Sequence, residues 1–520
     1  MKRVKGLAAG AALLLLLTAC NGAPKEQPTG ETEITLSDQR ITVDGKPIAT
    51  EPQGAVYAAN DIVYYEADKD FTYGEGTADD AHDAQTAAAH TVVHITEAGT
   101  YRLSGKLSRG QIAVDLGEEA KENPAAVVTL LLDGADITCE VAPAVIFYNV
   151  YECGDAENGT KDVDTAAAGA NVILADGSQN RINGSYVAKI YKPDSVTLND
   201  EGTAVEEAKK LHKYDGAFYS KMSMNVDGGE KDTGILDIYA ENEGLDSELH
   251  LTVNGGNINI YSGNDGINTN EDGVSVTTVN GGRVNIRVTG ETGEGDGIDS
   301  NGWLVINGGT VMTAACSDSA DAGIDSDMGI HINGGTVMAA GHMLDRIEDG
   351  GQTYAVFTFA QKQSGTDTVT LKKETGEAVM TYQPQNAYTI LIYSSADLKA
   401  GTYTLWSGDT PLAGQSGGIM GGHGMRPDGM TPPETDGETP PEGWERPDGE
   451  APPEDWERPD GETPPEDWER PDGETPPEKP DRPHNGAQVP GEEGGMLQEK
   501  TTEFVISDGA NQFGGITPAE

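Results

Sequence analysis

The chain has 520 residues, a formal net charge of −53 and 68 glycines. So acidic a surface repels phosphate backbones, which excludes nucleic acid as a partner and disfavours an anionic membrane surface. It also repels a polyanion, unless divalent cations bridge the two. The glycine content and the 6 % of aromatic residues are typical of a turn-rich β protein.

The N-terminus has the pattern of an export signal. Three basic residues at 2–5 precede an apolar run at 7–17, which is too short to span a membrane permanently. The end of this run, Leu17-Thr18-Ala19-Cys20, resembles the bacterial lipobox, which implies cleavage before Cys20 and a lipid on its sulfur. We therefore expect a monomer at the cell membrane, lipid-anchored through Cys20 and facing outside the cytoplasm. Simple secretion is the alternative.

Three further cysteines, Cys139, Cys153 and Cys316, cannot all pair with one another. A disulfide between Cys139 and Cys153 and a set of buried thiols both remain open. There is no Cys-x-x-Cys motif and no Cys/His cluster, so the sequence disfavours zinc.

The first third of the mature chain is rich in β-like segments. Alternating stretches follow one another from Ile34 to Leu116, and the continuous apolar run at 127–132 is typical of a strand buried on both sides. The segment Ala204–Tyr214 is the one stretch that favours a helix, at the edge of an insertion.

Residues 243–341 repeat one pair of motifs four times, with steps of 22, 31 and 26 residues. The first motif is an acid or alanine before Gly, an apolar residue, and Asp or Asn. The second is Asn-Gly-Gly followed by a short β-like run. A repeat of this length in short β-branched segments predicts a solenoid, and a parallel β-helix fits best. The copies begin at Glu243, Asp265, Asp296 and Ala322, and the Asn-Gly-Gly motifs begin at Asn254, Asn280, Asn307 and Asn333.

The two motifs predict different roles. In a stack of coils the apolar residue of the first motif would enter the core, and the acid after it would point outward. The glycines of Asn-Gly-Gly would supply positive φ, and the stacked asparagine amides would pair along the turn. Asn-Gly-Gly is therefore interpreted as structural.

The repeated acids predict at least one calcium site. Stacked strands lie ~4.8 Å apart, and two carboxylates at that distance repel by roughly 3–4 kcal/mol at an effective dielectric near 20. A calcium ion takes oxygen ligands and would remove this repulsion. Ordinary turn formation or a solvated charged face is the alternative interpretation. The candidate metal ligands are Glu243, Asp246, Asp265, Asn268, Asp272, Asp296, Asp299 and Asp325.

An earlier copy, Asp215-Gly216-Ala217-Phe218-Tyr219-Ser220-Lys221, carries Tyr219 where later copies carry Asp or Asn. The acidic column is expected to end there. Beyond the repeats, alternating stretches predict antiparallel strands that cap the last coil. An acidic Pro/Trp repeat tract follows, whose composition favours disorder.

Several segments taken together resemble the bacterial surface proteins called carbohydrate-binding domain-containing proteins. The resemblance covers about 34–412 and implies a right-handed parallel β-helix, similar in fold to pectate lyases. It also implies calcium held by Asp246, Asn268, Asp299, Asp325 and the acids before them. The implied function is binding of acidic polysaccharide, such as polygalacturonate, without cleavage. The segments are 41–45, 98–105, 110–115, 173–177, 243–248 and 296–301.

Two other functions remain open. A pectate-type lyase needs calcium and a base, and Lys221, Arg283 and Arg287 are the candidate bases near the repeats. A purely structural or adhesin-like β-helix would use calcium only to hold its coils together. We predict a signal peptide at 1–20, a tether at 21–33, a parallel β-helix at 34–353, a β-rich cap at 354–413, a disordered tract at 414–498 and a C-terminal strand segment at 499–520.

Overall fold

The computed structural model describes residues 30–52, 54–156, 158–417 and 500–519. In these ranges nearly all regular structure is β-strand, which confirms the all-β class. The helical segments there are α1 (Ala84–Ala88) and two 3₁₀ helices, Glu118–Glu122 and Pro193–Ser195. None of them is long and apolar enough to cross a membrane. The predicted signal peptide with Cys20, and the Pro/Trp tract from 418 onward, lie outside the described residues.

The first nine strands lie between residues 31 and 149. They are β1 (Glu31–Ser37), β2 (Thr42–Val43), β3 (Lys46–Pro47), β4 (Val56–Ala59), β5 (Thr91–Ile95), β6 (Gly99–Leu107), β7 (Gly110–Asp115), β8 (Val128–Cys139) and β9 (Val145–Asn149).

The strands of the next part include the insertion and all the repeats. They are β10 (Ala170–Leu174), β11 (Gln179–Gly184), β12 (Val187–Tyr191), β13 (Thr197–Leu198), β14 (Val205–Glu207), β15 (Lys210–Tyr214), β16 (Gly216–Ser220), β17 (Met224–Asp227), β18 (Ile235–Ala240), β19 (Glu243–Ser247), β20 (His250–Val253), β21 (Asn257–Ser262), β22 (Ile267–Thr269), β23 (Val276–Val279), β24 (Arg283–Val288), β25 (Trp303–Ile306), β26 (Thr310–Ala314), β27 (Gly329–Ile332) and β28 (Thr336–Gly341).

Successive turns of the chain, here called coils, contribute strands to three columns, and the pairing along each column is parallel. The first column runs through β6, β8, β10, β17, β20, β23, β25 and β27. The second runs from the end of β8 through β11, β18, β21, β24, β26 and β28. The third, in a separate sheet, runs through β5, β7, β9, β16, β19 and β22. Parallel pairing between consecutive repeats is what a solenoid requires, and the right-handed sense stays a prediction.

The apolar residue of the acidic motif lies in the core, as the sequence predicts. Leu245 pairs with Ile267, and Ile267 pairs with Ile298. These three side chains and Ile324 are 0 % exposed. Burying such a side chain contributes roughly 1.5–3 kcal/mol, so this apolar column fixes the register of the coils.

The glycine of the acidic motif marks a corner of the coil. The N–H groups of both Gly244 and Leu245 donate to the next coil, at Asp265 and Gly266. In a flat strand successive N–H groups alternate in direction, so this pattern turns the backbone. A Cβ on Gly244 would lie 2.5 Å from the Gly266 carbonyl oxygen, so close approach of the coils requires glycine.

The Asn-Gly-Gly motifs form an amide ladder, which confirms their structural role. Asn280, Asn307 and Asn333 each donate from Nδ2 to Oδ1 of the preceding asparagine, at 3.0, 2.9 and 2.8 Å. The second glycine of each motif has positive φ, as at Gly282 (72°). The ladder therefore repeats one turn geometry along the stack.

The insertion before β16 consists of antiparallel strands, so the predicted helix over Ala204–Tyr214 is wrong. β15 pairs antiparallel with β12, and β14 pairs with β13. Local helix preference is weak compared with the stabilisation from pairing with a distant strand. Val187 pairs with Tyr214 where the insertion joins the rest of the chain. β15 leads directly into Asp215.

Antiparallel strands follow the last coil, as predicted for a cap. β28 pairs antiparallel with β32, and β36 returns to pair with β29 and β34. β34 runs beyond the predicted boundary at 413, and β1 begins within the predicted tether. The cap strands are β29 (Tyr354–Gln363), β30 (Val369–Lys373), β31 (Ala378–Tyr382), β32 (Tyr388–Ser395), β33 (Gly401–Ser407), β34 (Thr410–Ser416), β35 (Phe504–Ile506) and β36 (Ala510–Pro518).

The three cysteines in the described ranges are thiols rather than members of a disulfide, so the disulfide alternative is not realised there. Cys139 and Cys316 are buried, and Cys153 is half-buried.

Candidate metal centre

Three carboxylates from two coils meet beside the third strand column. Asp215 precedes β16, and Glu243 and Asp246 lie on β19; each offers an oxygen, and these oxygens all lie within 4.8 Å of one another. Their exposed fractions are 9 %, 6 % and 0 %. The group is called the acidic centre below. Among the described residues it is the one set of three acids, histidines or cysteines this close together.

The corner at Gly244 explains why two acids of one strand converge. Residues three apart on a flat strand point to opposite faces. The turn at Gly244 breaks that alternation, so Glu243 and Asp246 approach the same point. Asp246 pairs with Tyr219 on one side and Asn268 on the other. The predicted stacking of Asp246 and Asn268 is confirmed, and the Asp246 side chain is fully buried rather than exposed on the coil surface.

Two of the six carboxylate oxygens in the centre, and one amide oxygen beside it, are buried without a hydrogen-bond donor. Asn268 Nδ2 donates to Glu243 Oε1 at 3.1 Å, and Asn270 Nδ2 donates to Asp246 Oδ1 at 2.8 Å. The second oxygens, Glu243 Oε2 and Asp246 Oδ2, are buried without a partner, as is Asn268 Oδ1. Leaving a buried acceptor unpaired costs about 1–3 kcal/mol, and more for a charged group. All three orphaned atoms are oxygens that a hard cation accepts as ligands.

The centre is electrostatically unstable with all its acids ionised. Burial and the neighbouring carboxylates of Asp246 and Asp215 raise the pKa of Glu243 well above its usual range. Burial and Asp215 have the same effect on the pKa of Asp246. A cation or bound protons must therefore compensate the charge.

Two lysines on β15 lie beside the acidic centre. Lys213 Nζ lies 2.6 Å from Asp215 Oδ2, and Lys210 Nζ lies 3.6 Å from Glu248 Oε1. The Tyr219 hydroxyl donates to Glu248, so Tyr219 is packed and hydrogen-bonded rather than available for stacking on a sugar. The positive charge of Lys213 balances the negative charge of one of the three buried carboxylates. The charges of the other two remain uncompensated.

The other acids of the repeats lie on the coils that begin at Asp265, Asp296 and Ala322, and two of them accept backbone hydrogen bonds from the next coil. Asp265 Oδ1 accepts the Asp296 N–H at 2.6 Å, and Asp296 Oδ1 accepts the Ala322 N–H. These two acids therefore tie successive coils together. Asp299 and Asp325 are half-buried, and burial, with the neighbouring acids, raises the pKa of each to about 7.

Other predicted site residues lie elsewhere. Asp272 is exposed and accepts a hydrogen bond from Asn301 Nδ2 at 3.1 Å. Lys221 directly follows β16 and is half-buried. Arg283 and Arg287 lie on β24 in the second strand column, so the structure does not bring these candidate lyase bases to the acidic centre.

Sequence reasoning missed Asp215 as a member of the centre. The copy that contains it has an extra residue, Ala217, between its glycine and its apolar residue. Phe218 nevertheless pairs with Leu245, which places Gly216 opposite Glu243. The signal that could have found it was the acid before glycine, which Asp215 shares with Glu243, Asp265 and Asp296.

The chain is similar to a solved structure and to a protein family. A solved structure described as the polysaccharide lyase-like protein from C. thermocellum, a gadolinium derivative, is 17 % identical, with a TM-score of 0.33; the match covers 59 % of this chain and 90 % of that chain. No curated protein matches the chain. A family model described as carbohydrate-binding domain-containing protein matches residues 89–350, half of the 520-residue chain. The matched range holds the repeats and the acidic centre, and the chain belongs to the carbohydrate-binding domain-containing protein family.

Proposed function

We propose that the protein is an extracytoplasmic, lipid-anchored module that binds acidic polysaccharide in a calcium-dependent way and does not cleave it. Membership of a carbohydrate-binding family supports a polysaccharide partner and a non-catalytic role. The lipobox-like segment ending at Cys20 supports the anchor. The three parallel strand columns support a right-handed parallel β-helix as the scaffold.

The observation that carries the calcium proposal is the set of orphaned oxygens in the acidic centre. Glu243 Oε2, Asp246 Oδ2 and Asn268 Oδ1 are buried without donors, next to Asp215. Calcium prefers six to eight oxygen ligands in flexible geometry, and carboxylates and amide carbonyls are typical ones. The donor set therefore fits calcium and lacks the nitrogen and sulfur ligands that favour zinc.

Burial determines what a calcium ion at this centre would do. With its ligands no more than 9 % exposed, an ion there is out of reach of a polymer on the surface. It would instead join the coil of Asp215 to the coils of Glu243 and Asn268. Calcium dependence of binding then follows from calcium dependence of the scaffold.

A lyase needs its base beside the calcium-bound uronate. Arg283 and Arg287 belong to the second strand column, whereas the acidic centre belongs to the third. For these two residues the separation favours binding over β-elimination, whereas Lys221 directly follows β16 of the third column and is the base that a lyase would have to use.

The test is retention of the full chain on insoluble polygalacturonate, with calcium and with chelator, while the supernatant is assayed for unsaturated sugar ends. We expect retention with calcium, reduced retention with chelator, and no unsaturated product. Unsaturated product would replace binding by lyase activity. Absence of retention in both buffers, with calcium still raising the melting temperature, would leave a calcium-stapled structural β-helix.

A further inference from the structure

The second strand column presents an exposed sheet face that differs in charge from the rest of this acidic chain. Arg181 on β11 and Arg283 and Arg287 on β24 are all exposed. Tyr239 on β18 and Tyr261 on β21 lie between them. These five residues are called the arginine face.

The register of the column places these side chains on one surface. Tyr239 pairs with Tyr261, and Tyr261 pairs with Arg287. With ~4.8 Å between strands and ~3.3 Å per residue along a strand, the three arginines span roughly 14 Å in each direction. An extended polymer can therefore contact more than one of them.

The arginines of this face have no carboxylate partner among the described residues. Of the four other arginines in those ranges, Arg102, Arg109 and Arg346 form ion pairs with glutamate or aspartate, and Arg40 does not. Asp136 and Asp237 flank Arg181 in the register, but Asp136 Oδ2 pairs with Lys106 Nζ at 2.7 Å and Asp237 Oδ1 accepts from Asn259 Nδ2 at 2.8 Å. In a chain of net charge −53, three arginines without a paired acid on one face are unexpected.

Neutral contacts hold these arginines in place. Arg181 lies 4.4 Å from the centroid of the Tyr239 ring, and Tyr239 stacks on Tyr261 at 5.0 Å with an interplanar angle of 12°. Arg287 Nε donates to Asn386 Oδ1 of the cap at 2.9 Å. Such contacts preorganise a guanidinium and leave other N–H groups free for a ligand.

The cap bounds the face on one side. Asn386 Nδ2 donates to the Val288 carbonyl at the end of β24, and the Tyr382 hydroxyl donates to the Thr313 carbonyl on β26. Arg283 Nη2 lies 3.4 Å from Met312 Sδ, where the sheet emerges from beneath the cap. The open part of the surface therefore extends across β24, β21, β18 and β11.

We propose that the arginine face binds the carboxylates of an anionic polysaccharide laid across these four strands. Guanidinium groups bind carboxylates through paired, charge-assisted hydrogen bonds, and the tyrosines offer amphipathic contact area for sugar rings. The inference rests on the proposed function and adds the place of binding. The acidic centre then holds the coils, and the arginine face contacts the polymer.

The experiment compares the calcium-loaded full chain with R181Q/R283Q/R287Q by measuring Kd for soluble polygalacturonate. The glutamine side chains remove three charged hydrogen-bond donors, so we expect affinity to fall at least tenfold with an unchanged melting temperature. R109Q/R346Q removes two exposed, ion-paired arginines and is the matched control, with wild-type affinity expected. R181K/R283K/R287K keeps the charge and is expected to retain part of the binding.

The outcomes separate the two proposals. Failure of the wild type to bind polygalacturonate refutes the proposed function. Wild-type affinity in R181Q/R283Q/R287Q refutes the arginine face alone. Equal wild-type affinity for fully methyl-esterified polygalacturonate also refutes it, because esterification removes the carboxylates. Tighter binding by R181Q/R283Q/R287Q refutes it in favour of occupation of the face by the chain's own acidic tract.

Discussion

Glu243 and Asp246 stand three residues apart on one strand, yet each directs a carboxylate oxygen to within 4.8 Å of the other and of Asp215. Each also keeps one buried oxygen without a hydrogen-bond donor. A fold that only needed turns would not bury two carboxylates in this way, because burial without compensation is costly. The relationship therefore connects the stability of the scaffold to a cation.

Asp246→Asn tests this connection, and it should have opposite effects with and without calcium. In chelator we expect a higher melting temperature than for the wild type, because one buried charge is removed. Binding of an ion at 100 times its Kd stabilises a fold by about 2.7 kcal/mol, and the variant should lose most of that gain. The measurement is thermal unfolding in both buffers. Asp272→Asn makes the same change at an exposed site and should behave like the wild type; an unaltered calcium response in Asp246→Asn would contradict the assignment.

The stability of the chelated protein should fall as pH rises from about 4 to 7. Burial and neighbouring acids raise the pKa of Asp299 and Asp325 to about 7, whereas an unfolded aspartate titrates near 3.9. Between these values the folded state holds more protons than the unfolded state, so the free energy of unfolding decreases with pH. Denaturant titrations at pH 5 and pH 8 in chelator measure this. Equal or greater stability at pH 8 would contradict this prediction.

Gly266→Ala should destabilise the stack without touching any acid. A Cβ at this position would lie 2.6 Å from the Gly297 carbonyl oxygen of the next coil. Overpacking of this kind costs typically 1–3 kcal/mol. Gly99→Ala is the control, since its Cβ would meet the Tyr101 ring at 3.5 Å, an ordinary contact. Equal stability of the two variants in urea unfolding would argue against a sterically required glycine column.

The asparagine ladder should show a dependence on position. Asn280 both donates to Asn254 and accepts from Asn307, whereas Asn333 donates to Asn307 only. At about 0.5–1.5 kcal/mol for each hydrogen bond, Asn280→Ala should cost about twice as much as Asn333→Ala. Urea unfolding of both variants measures the ratio. A larger loss for Asn333→Ala would mean that the amides do not act as a ladder.

The helix predicted over 204–214 shows how far local pattern can mislead. That segment contains residues compatible with a helix, yet its second half forms β15 against β12. The partner strand lies in a different part of the chain, so no local signal identifies it. The same strand, β15, places Lys213 Nζ 2.6 Å from Asp215 Oδ2.

The repeat, the apolar column through Leu245 and Ile267, and the asparagine ladder could be predicted from the sequence, because each depends on a pattern that recurs once in every coil. The folded structure was needed to show that Asp215 joins Glu243 and Asp246, since that requires the backbone turn at Gly244 and a register that accommodates Ala217. It also decided that Asp246 is buried while Arg283 and Arg287 are exposed in another column. Sequence spacing specifies which residues share a column, but burial depends on what the rest of the chain packs against that column.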